Sequence, residues 1–193
     1  MLGIDEAGRG PLAGPVAVGV VVVPAAFNFA LIKGVRDSKQ MTELGREIWY
    51  ERIRVLEQEA GLRYIVVFSS ALMIDRFGVT RAVRRAVHKG VRVLVPEPRG
   101  VRILLDGLLH APPEYEQETI IRGDESEPII ALASIAAKVR RDRLMRAYAL
   151  RYPEYGFETH KGYGTKMHRE ALAVHGLCDI HRQSFCHIEK ATK

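Results

Sequence analysis

The segment that decides the fold is residues 3–23, GIDEAGRGPLAGPVAVGVVVV. A short apolar stretch at residues 1–4 leads into residues 7–15, which contain three glycines and two prolines, and residues 16–23 are then apolar and rich in valine. Apolar, β-branched runs bounded by glycine and proline are typical of β-strands. Because residues 16–23 are apolar at nearly every position, we expect this strand to be buried on both faces. The segment therefore predicts two strands joined by a glycine-rich turn.

The remainder of the chain alternates between helix and strand signals. Thr42 is a good helix N-cap, apolar residues then recur at spacings of three and four, and Gly61 is expected to end that helix. Together with the two strands above, the pattern predicts an α/β fold with a central mixed five-stranded sheet flanked by helices. We expect one domain over residues 1–150, with residues 151–193 forming a small C-terminal helical segment packed on it. The other predicted strands are residues 62–68, 101–105 and 117–121, and the other predicted helices are residues 73–87, 129–148 and 166–174.

The composition is that of an ordinary globular domain. The 193 residues are 47% hydrophobic and 27% charged, and this length fits one domain of about 100–200 residues. The longest apolar run, residues 16–23, is much shorter than the roughly 20 residues of a membrane-spanning helix. Asp5 and Glu6 stand where a secretory signal would carry basic and then apolar residues, and Cys178 and Cys186 lack metal-ligand spacing. We therefore expect a cytoplasmic monomer without membrane contact.

Four acidic residues lie at the ends of predicted strands. Asp5 and Glu6 end the first strand, Asp106 follows the fourth, and Asp124 follows the fifth. Binding sites in α/β sheets usually form at strand ends, and carboxylates that converge there raise each other's pKa unless a cation offsets their repulsion. Mg²⁺ prefers oxygen ligands, and two such ions about 3.5–4 Å apart can activate a water and stabilise the leaving oxygen in phosphodiester cleavage. These positions therefore indicate a divalent-metal site.

An alternative interpretation of these carboxylates stays open. A lone aspartate at a strand end is often only a turn former or a helix N-cap. Adjacent side chains of a regular strand point to opposite faces, so Asp5 and Glu6 reach one site only if the chain bends there. The glycines that follow permit such a bend.

The glycine-rich turn at residues 7–15 and one helix face are candidate binding elements. Successive backbone N–H groups in such a turn can bind an anion or a hydroxyl, and Arg9 adds a positive charge, although most Gly-x-Gly turns only connect strands. Ser134, Lys138 and Asp142 are spaced by four and share one helical face. If that face meets a groove, Ser134 and Lys138 can contact phosphate. The alternative is that Lys138 and Asp142 form only a surface ion pair.

The C-terminal part of the chain contributes a candidate tyrosine and several histidines. Tyr163 lies between Gly162 and Gly164, in a loop that can place its ring against a sugar, although loop tyrosines more often pack or face solvent. The histidines have no metal-ligand spacing, and we expect them to be loop, phosphate-facing or surface residues rather than zinc ligands. They are His160, His168, His175, His181 and His187.

Short motifs follow one another in a fixed order along the chain. They are GIDEAGRGP at residues 3–11, DSK at 37–39, LDG at 105–107, GD at 123–124, ASI at 133–135, AK at 137–138, RDR at 141–143, YPxYGF at 152–157, HKGYGT at 160–165 and HRxSF at 181–185. In this order, and over residues 3–185, the sequence resembles the bacterial ribonuclease HII family. Each motif alone is a weak signal, whereas ordered agreement across nearly the whole chain is highly specific.

The resemblance implies an RNase H-like fold and an endoribonuclease that depends on a divalent cation, Mg²⁺ or Mn²⁺. The implied substrates are RNA–DNA hybrids and duplex DNA that carries a single ribonucleotide. The phosphodiester on the 5′ side of that ribonucleotide is cut to leave 5′-phosphate and 3′-hydroxyl ends. The C-terminal segment, residues 151–193, is implied to contribute to substrate binding.

The resemblance also assigns roles to individual residues. The metal-binding and catalytic carboxylates of the family match Asp5, Glu6, Asp106 and Asp124. The loop that reads the ribose 2′-hydroxyl matches Gly8, Arg9 and Gly10, and the tyrosine that works with it at the RNA–DNA junction matches Tyr163. The positions that hold the nucleic-acid backbone match Lys39, Ser134 and Lys138.

The chain departs from the family pattern on the second predicted helix, which leaves packing or surface charge there in doubt rather than the chemistry. The departures are Met73-Ile74-Asp75, Gly78-Val79 and Arg84-Arg85.

Three other functions stay open. An actin-like or sugar-kinase ATPase also has an aspartate and a glycine-rich turn after its first strand, but it needs two lobes to enclose a nucleotide. The net charge of +6 also fits a non-catalytic nucleic-acid-binding module, which leaves the four carboxylates unexplained. The third is another RNase H-like nuclease, such as a resolvase or ribonuclease HIII.

Overall fold

The fold is taken from a computed structural model, in which residues 1–186 are described. Residues 187–193, which include His187 and the end of the expected C-terminal segment, lie outside the described residues. Among the described residues, none of the helices has the length and apolar character needed to cross a membrane.

A single five-stranded sheet forms the centre of the molecule, with the strand order β3-β2-β1-β4-β5. β2 pairs with β1 and β3 in antiparallel fashion, whereas β4 pairs with β1 and β5 in parallel fashion, so the expected mixed sheet is confirmed. Every residue of β2 is buried, as its continuous apolar sequence predicts. The strands are β1 Leu2–Ala7, β2 Val16–Val22, β3 Arg63–Ser69, β4 Arg102–Asp106 and β5 Glu116–Ile120.

Seven α-helices and three short 3₁₀ helices complete the described chain. The N-cap expected at Thr42 is confirmed, because its hydroxyl accepts a hydrogen bond from the Gly45 N–H at 3.1 Å. The α-helices are α1 Glu43–Glu59, α2 Ala71–Phe77, α3 Val79–Leu94, α4 Gly123–Ser126, α5 Pro128–Arg151, α6 Phe157–His160 and α7 Lys166–His175. The 3₁₀ helices are Phe29–Ile32, Ser38–Gln40 and Pro153–Tyr155.

The single helix predicted over residues 73–87 is wrong, because the structure has two helices there. Ser70 caps α2 by accepting a hydrogen bond from the Met73 N–H. Gly78 then adopts a positive φ of 78°, which ends α2 and redirects the chain into α3. The apolar spacing continues from there through Leu94, so α3 is also longer than predicted.

Helices cover both faces of the sheet. α1 and α5 pack against one face and α3 against the other, and each face forms its own apolar cluster. Gly19 on β2 lets α5 approach closely, since a Cβ built at this glycine would lie 2.1 Å from the Ala133 carbonyl oxygen. α5 therefore lies directly on the central strands and brings its polar residues to the sheet edge where β1 ends.

The described part of the C-terminal segment packs on the same body. Tyr155, Phe157 and Leu172 form a third apolar cluster with Met145 of α5 and Ala13 of the glycine-rich turn. Backbone hydrogen bonds reinforce this contact, because Ala13 forms an isolated β-bridge with His181. The segment is thus joined directly to the turn that follows β1.

We predict that Gly19→Ala lowers the free energy of unfolding by about 1–3 kcal/mol, since the added methyl group overlaps the backbone of α5. Urea titration measures this change. Gly45→Ala is the matched control: its methyl group would meet Thr42 Oγ1 at 3.3 Å. Alanine is also the better helix former, so that variant should be neutral or more stable by up to about 1 kcal/mol. Equal stability of Gly19→Ala and the unmodified chain would contradict the close approach of α5.

Candidate active site

Three carboxylates converge at one edge of the sheet. Asp5 lies in β1, Asp106 ends β4, and Asp124 lies in α4 directly after β5. Each contributes a carboxylate oxygen, and these oxygens all lie within 4.8 Å of one another. Because β1, β4 and β5 are parallel neighbours, their carboxyl ends meet at this edge. The expected convergence of these three residues is therefore present in the structure.

A tight backbone reversal brings Asp124 to the other two carboxylates. Arg122 adopts a left-handed conformation with φ of 55°, and the chain then enters α4. The Gly123 N–H donates a hydrogen bond to Asp106 Oδ1 at 2.8 Å. The backbone that carries Asp124 is thus attached to the side chain of Asp106.

The Asp5 carboxylate is almost completely buried, with 3% of the residue exposed. It accepts a hydrogen bond from the Glu6 N–H at 2.7 Å, and the Ser134 hydroxyl lies close enough to favour the charged form. Burial raises its pKa well above the ordinary value, the negative charges of Glu6 and Asp106 raise it further, and the Ser134 hydroxyl opposes the change. Burial and the charge of Asp124 likewise raise the pKa of Asp106.

Glu6 lies beside this cluster but is not one of its three members. β1 stays regularly paired with β2 through Ala7, so the bend that would turn Glu6 toward Asp5 is not present in this described strand. The Glu6 carboxylate accepts a hydrogen bond from Arg9 at 3.3 Å. Burial raises its pKa, Arg9 lowers it, and the charge of Asp106 raises it. Its role as a metal ligand stays a prediction.

The donor set of the three aspartates fits a hard divalent cation. The ligands are oxygen atoms and are close enough to share one ion, and the raised pKa values of Asp5 and Asp106 agree with negative charge that is only partly compensated. Lys39 supplies the nearest positive charge by donating a hydrogen bond from Nζ to Asp124 Oδ2 at 2.8 Å. That contact raises the pKa of Lys39.

Ser134 and Lys138 of α5, which are predicted to hold the nucleic-acid backbone, lie in different environments. Ser134 is 3% exposed, and its hydroxyl lies 2.8 Å from that of Ser38, so it supports the carboxylates from inside the protein. Lys138 donates to Asp142 at 2.9 Å, as the ion-pair alternative predicts. Burial lowers the pKa of Lys138, and Asp142 opposes that change. Contact of either residue with phosphate stays a prediction.

Two buried arginines hold the glycine-rich turn. Arg182 donates to the carbonyl oxygens of Gly8 at 2.6 Å, Arg9 at 2.7 Å and Gly14 at 3.0 Å. Arg141 packs beneath Gly8, whose φ is 89°, and a Cβ built there would lie 2.0 Å from the Arg141 Nε. The carbonyl groups of the turn are therefore directed inward, and its conformation is fixed by the arginines.

Sequence reasoning assigned no role to these arginines, although both lie in the motifs quoted above. Arg141 and Arg182 are 1% and 0% exposed. Arginine is almost never fully buried without a partner, but burial is not visible in a motif. Only the HRxSF and RDR motifs themselves pointed to these positions.

The Tyr163 loop lies against the same turn. The Gly162 carbonyl accepts hydrogen bonds from the N–H groups of Leu12 at 2.9 Å and Ala13 at 3.3 Å. A Cβ at Gly162, which has φ of 87°, would lie 2.4 Å from the Ala13 carbonyl oxygen. Tyr163 itself is 45% exposed, and the Arg141 guanidinium lies 6.0 Å from its ring centroid. The structure thus places the Tyr163 loop against the glycine-rich turn that follows β1, in which Arg9 and Gly10 are exposed and Gly8 is buried.

The expectation for the histidines is wrong for three of them. His160, His168 and His181 are buried, with 7%, 0% and 3% of each residue exposed. They are packed among Tyr155 and Phe157 instead of facing solvent or phosphate. The physical reason is that the third apolar cluster encloses them, a long-range packing effect with no signature in their spacing. His175 is exposed as predicted.

Solved structures with the same architecture are ribonucleases. A ribonuclease HII from Archaeoglobus fulgidus, solved as a complex with PCNA, superposes with a TM-score of 0.77 and 26% identity, covering 95% of this chain and 92% of that one. A ribonuclease H2 from Pyrococcus horikoshii OT3 superposes with a TM-score of 0.71 and 24% identity over the same shares of the two chains. The fold and the three clustered carboxylates define a metal-dependent nuclease of the RNase H-like class.

Sequence comparison gives the family. The sequence model of Ribonuclease HII matches residues 2–188. A ribonuclease HII from Endomicrobium trichonymphae is 46% identical over 185 residues, which are 95% of this chain and 83% of that protein. One from Bacillus cereus (strain B4264) is 43% identical over 187 residues, 97% of this chain and 69% of that protein. The chain belongs to the ribonuclease HII family, and it is a metal-dependent ribonuclease H that acts as an endonuclease.

We predict that Asp5→Asn stabilises the metal-free protein at neutral pH. Below about pH 3.8, the ordinary pKa of this carboxyl, Asp5 is protonated in both the folded and the unfolded chain. As the pH rises through the raised pKa of the folded state, the buried carboxyl becomes charged and the free energy of unfolding falls. Removing the charge should raise the free energy of unfolding in EDTA by on the order of 1 kcal/mol for each pKa unit relieved. Urea titration at pH 7 measures it.

Added Mg²⁺ gives the second arm of this experiment. It should stabilise the unmodified protein, because it binds the folded state, and should stabilise Asp5→Asn less. Asp179→Asn, an exposed aspartate in the C-terminal segment, is the matched control and should change neither result. A less stable Asp5→Asn in EDTA would show that the carboxylate is not under repulsion.

Proposed function

We propose that this ribonuclease cleaves the RNA strand of RNA–DNA hybrids and also incises duplex DNA 5′ to a single embedded ribonucleotide. The products are 5′-phosphate and 3′-hydroxyl ends. The observation that carries the proposal is a glycine-rich turn that directly follows the strand carrying Asp5, is held by Arg182 and is hydrogen-bonded to the loop of the exposed Tyr163. The name ribonuclease HII among the relatives supports the same substrate class.

The carboxylate cluster would hold the divalent cation, Mg²⁺ or Mn²⁺. Asp5, Asp106 and Asp124 are the proposed ligands, with Glu6 completing the set from the neighbouring position. When bound, a pair of such ions would supply a water nucleophile at neutral pH and would stabilise the leaving oxygen. In the metal-free protein, Lys39 balances the negative charge of Asp124. When a cation balances that charge instead, Lys39 is free to contact the backbone of the nucleic acid.

Recognition of ribose requires a group that contacts the 2′-hydroxyl. In the glycine-rich turn the carbonyl oxygens of Gly8 and Arg9 are occupied by Arg182, which leaves the backbone N–H groups as the polar groups available on the outer side. Within residues 1–186 the N–H groups of Arg9 and Gly10 have no hydrogen-bond acceptor, and both residues are exposed. They are proposed to donate to the 2′-hydroxyl oxygen.

Tyr163 is proposed to read the junction between ribonucleotide and DNA. Its ring is the exposed aromatic group next to this turn, and its backbone is joined to the turn through Gly162. The ring would pack on the deoxyribose 3′ of the ribonucleotide, where an additional hydroxyl would oppose an apolar contact. DNA is therefore preferred at that position.

Asp106→Asn is predicted to abolish Mg²⁺-dependent cleavage while the protein stays folded. The substitution removes an anionic ligand and keeps the side-chain oxygen that accepts from Gly123. Cleavage of a duplex with one ribonucleotide, with Mg²⁺ or EDTA, tests it on a gel, and circular dichroism verifies folding. Asp179→Asn should cleave normally. Near-normal cleavage by folded Asp106→Asn would contradict the assignment of this residue.

Two substitutions of Tyr163 test junction recognition. Tyr163→Phe keeps the ring and loses one hydrogen bond, at a cost of about 1 kcal/mol. Tyr163→Ala also loses stacking, which is worth about 1–3 kcal/mol. The measurement is kcat/KM on a single-ribonucleotide duplex and on a continuous RNA–DNA hybrid.

We expect Tyr163→Ala to lose more kcat/KM on the single-ribonucleotide duplex than on the hybrid. The kcat/KM of Tyr163→Phe should lie between those of the unmodified protein and Tyr163→Ala. Equal losses on both substrates for both variants would mean that Tyr163 is structural and that another group reads the junction.

A further inference from the structure

Three buried histidines form a connected cluster in the C-terminal segment. His160 and His168 stack with ring centroids 4.4 Å apart, and the rings of His168 and His181 are 5.2 Å apart. The Tyr155 and Phe157 rings enclose them. None of the three histidines belongs to the carboxylate cluster, and the function proposed above gives them no role.

The hydrogen bonds determine which nitrogen of His181 and His168 carries the proton. The Cys178 N–H donates to His181 Nδ1 at 2.9 Å, so the proton of neutral His181 is on Nε2. His181 Nε2 lies 3.0 Å from His168 Nε2, and His181 must therefore be the donor. The proton of His168 is consequently on Nδ1, which lies 2.9 Å from the Tyr163 carbonyl oxygen and donates to it.

His160 holds the preceding residue of the same loop. The Gly162 N–H donates to His160 Nδ1 at 3.2 Å, which places the His160 proton on Nε2. That nitrogen lies 2.7 Å from the Tyr155 carbonyl oxygen and donates to it. Each of the three rings thus donates once and accepts once, an arrangement that only the neutral form can make.

The electrostatic surroundings agree with neutral rings. Burial lowers the pKa of His168, and burial with the charge of His168 lowers the pKa of His181 to about 4. The titratable groups that face the rings are the other histidines, the Tyr155 hydroxyl and the Cys178 thiol. The pKa of that thiol is raised by burial, so it stays neutral as well.

We propose that His168 and His181 are positioning residues for substrate recognition: the ordered chain from the Cys178 N–H through both imidazoles fixes the Tyr163 carbonyl and so presents the Tyr163 ring to the nucleic acid. His160 also fixes this loop, because it accepts a hydrogen bond from the Gly162 N–H. The proposal rests on the proposed function of Tyr163 as the junction-reading residue.

The geometry also connects this chain of histidines to the glycine-rich turn. Arg182 follows His181 directly and holds the Gly8 and Arg9 carbonyl oxygens. One pair of adjacent residues therefore fixes both parts of the recognition surface, with His181 acting on the Tyr163 loop and Arg182 on the turn. Displacement of His181 would disturb the alignment of the two parts.

The first test does not depend on activity. Long-range ¹H–¹⁵N NMR spectra of histidine-labelled protein report the tautomer of each ring. We expect the Nδ1–H form for His168 and the Nε2–H form for His160 and His181, and the forms of His168 and His181 should be unchanged between pH 8 and pH 5.5. A different tautomer for His168 or His181, or titration of either near pH 6.5, would overturn the proposal.

The second test is a double-mutant cycle on the single-ribonucleotide duplex. His168→Leu should lower kcat/KM about ten- to a hundredfold through misplacement of the Tyr163 loop. In the Tyr163→Ala background it should lower kcat/KM much less, because the ring that it positions is gone. A general structural role predicts multiplied losses instead, and that result would overturn the positioning role.

His168→Asn keeps the proposal falsifiable if His168→Leu does not fold. An asparagine Nδ2–H can reach the place of the histidine Nδ1–H, donate to the Tyr163 carbonyl and restore most of the activity. His175→Leu, the same change on the exposed side of α7, should leave activity unchanged. A folded His168→Asn as impaired as Tyr163→Ala would count against the proposal. If Tyr163→Ala itself has no effect, the proposed function of Tyr163 fails, and the NMR tautomers still decide whether the chain of histidines exists.

Discussion

Mutual repulsion among Asp5, Asp106 and Asp124 is the constraint to which the surrounding structure responds. The parallel pairing of β1, β4 and β5 delivers all three carboxylates to one edge, where burial prevents water from screening their charges. Lys39 and Ser134 compensate part of this charge, yet the pKa values of Asp5 and Asp106 stay raised. This edge therefore concentrates negative charge, which a divalent cation bound there would relieve.

The glycine-rich turn depends on the opposite arrangement, in which buried cations are stabilised by backbone carbonyl groups. Arg141 and Arg182 make no ion pairs within the described chain and instead donate to carbonyl oxygens of the turn after β1. Burial lowers the pKa of both, and the charge of Arg141 lowers that of Arg182 further, to about 10. Because these carbonyl groups are held from within, the N–H groups of Arg9 and Gly10 are the polar groups that the turn exposes, as the proposed recognition of the 2′-hydroxyl requires.

Local patterns predicted the elements and the three converging aspartates, because strand ends, caps and apolar spacing are encoded over a few residues. Thr42 and the continuous burial of β2 are examples. The break at Gly78 was missed because the apolar spacing runs through it, while the backbone sign of φ is not visible in a sequence. The burial of Ser134 and of the three histidines depends on contacts between segments far apart in the chain. Spacing along one helix or loop therefore could not reveal it.

The most direct test of the carboxylate site is the location of bound Mn²⁺ in a crystal of this protein by anomalous scattering. The account predicts an anomalous peak about 2.0–2.2 Å from oxygens of Asp5, Asp106 and Asp124. It also predicts that the Lys39 amine has moved away from Asp124, since the ion takes over its role. A peak elsewhere, or an intact Lys39–Asp124 contact with no ion at the cluster in saturating Mn²⁺, would contradict it.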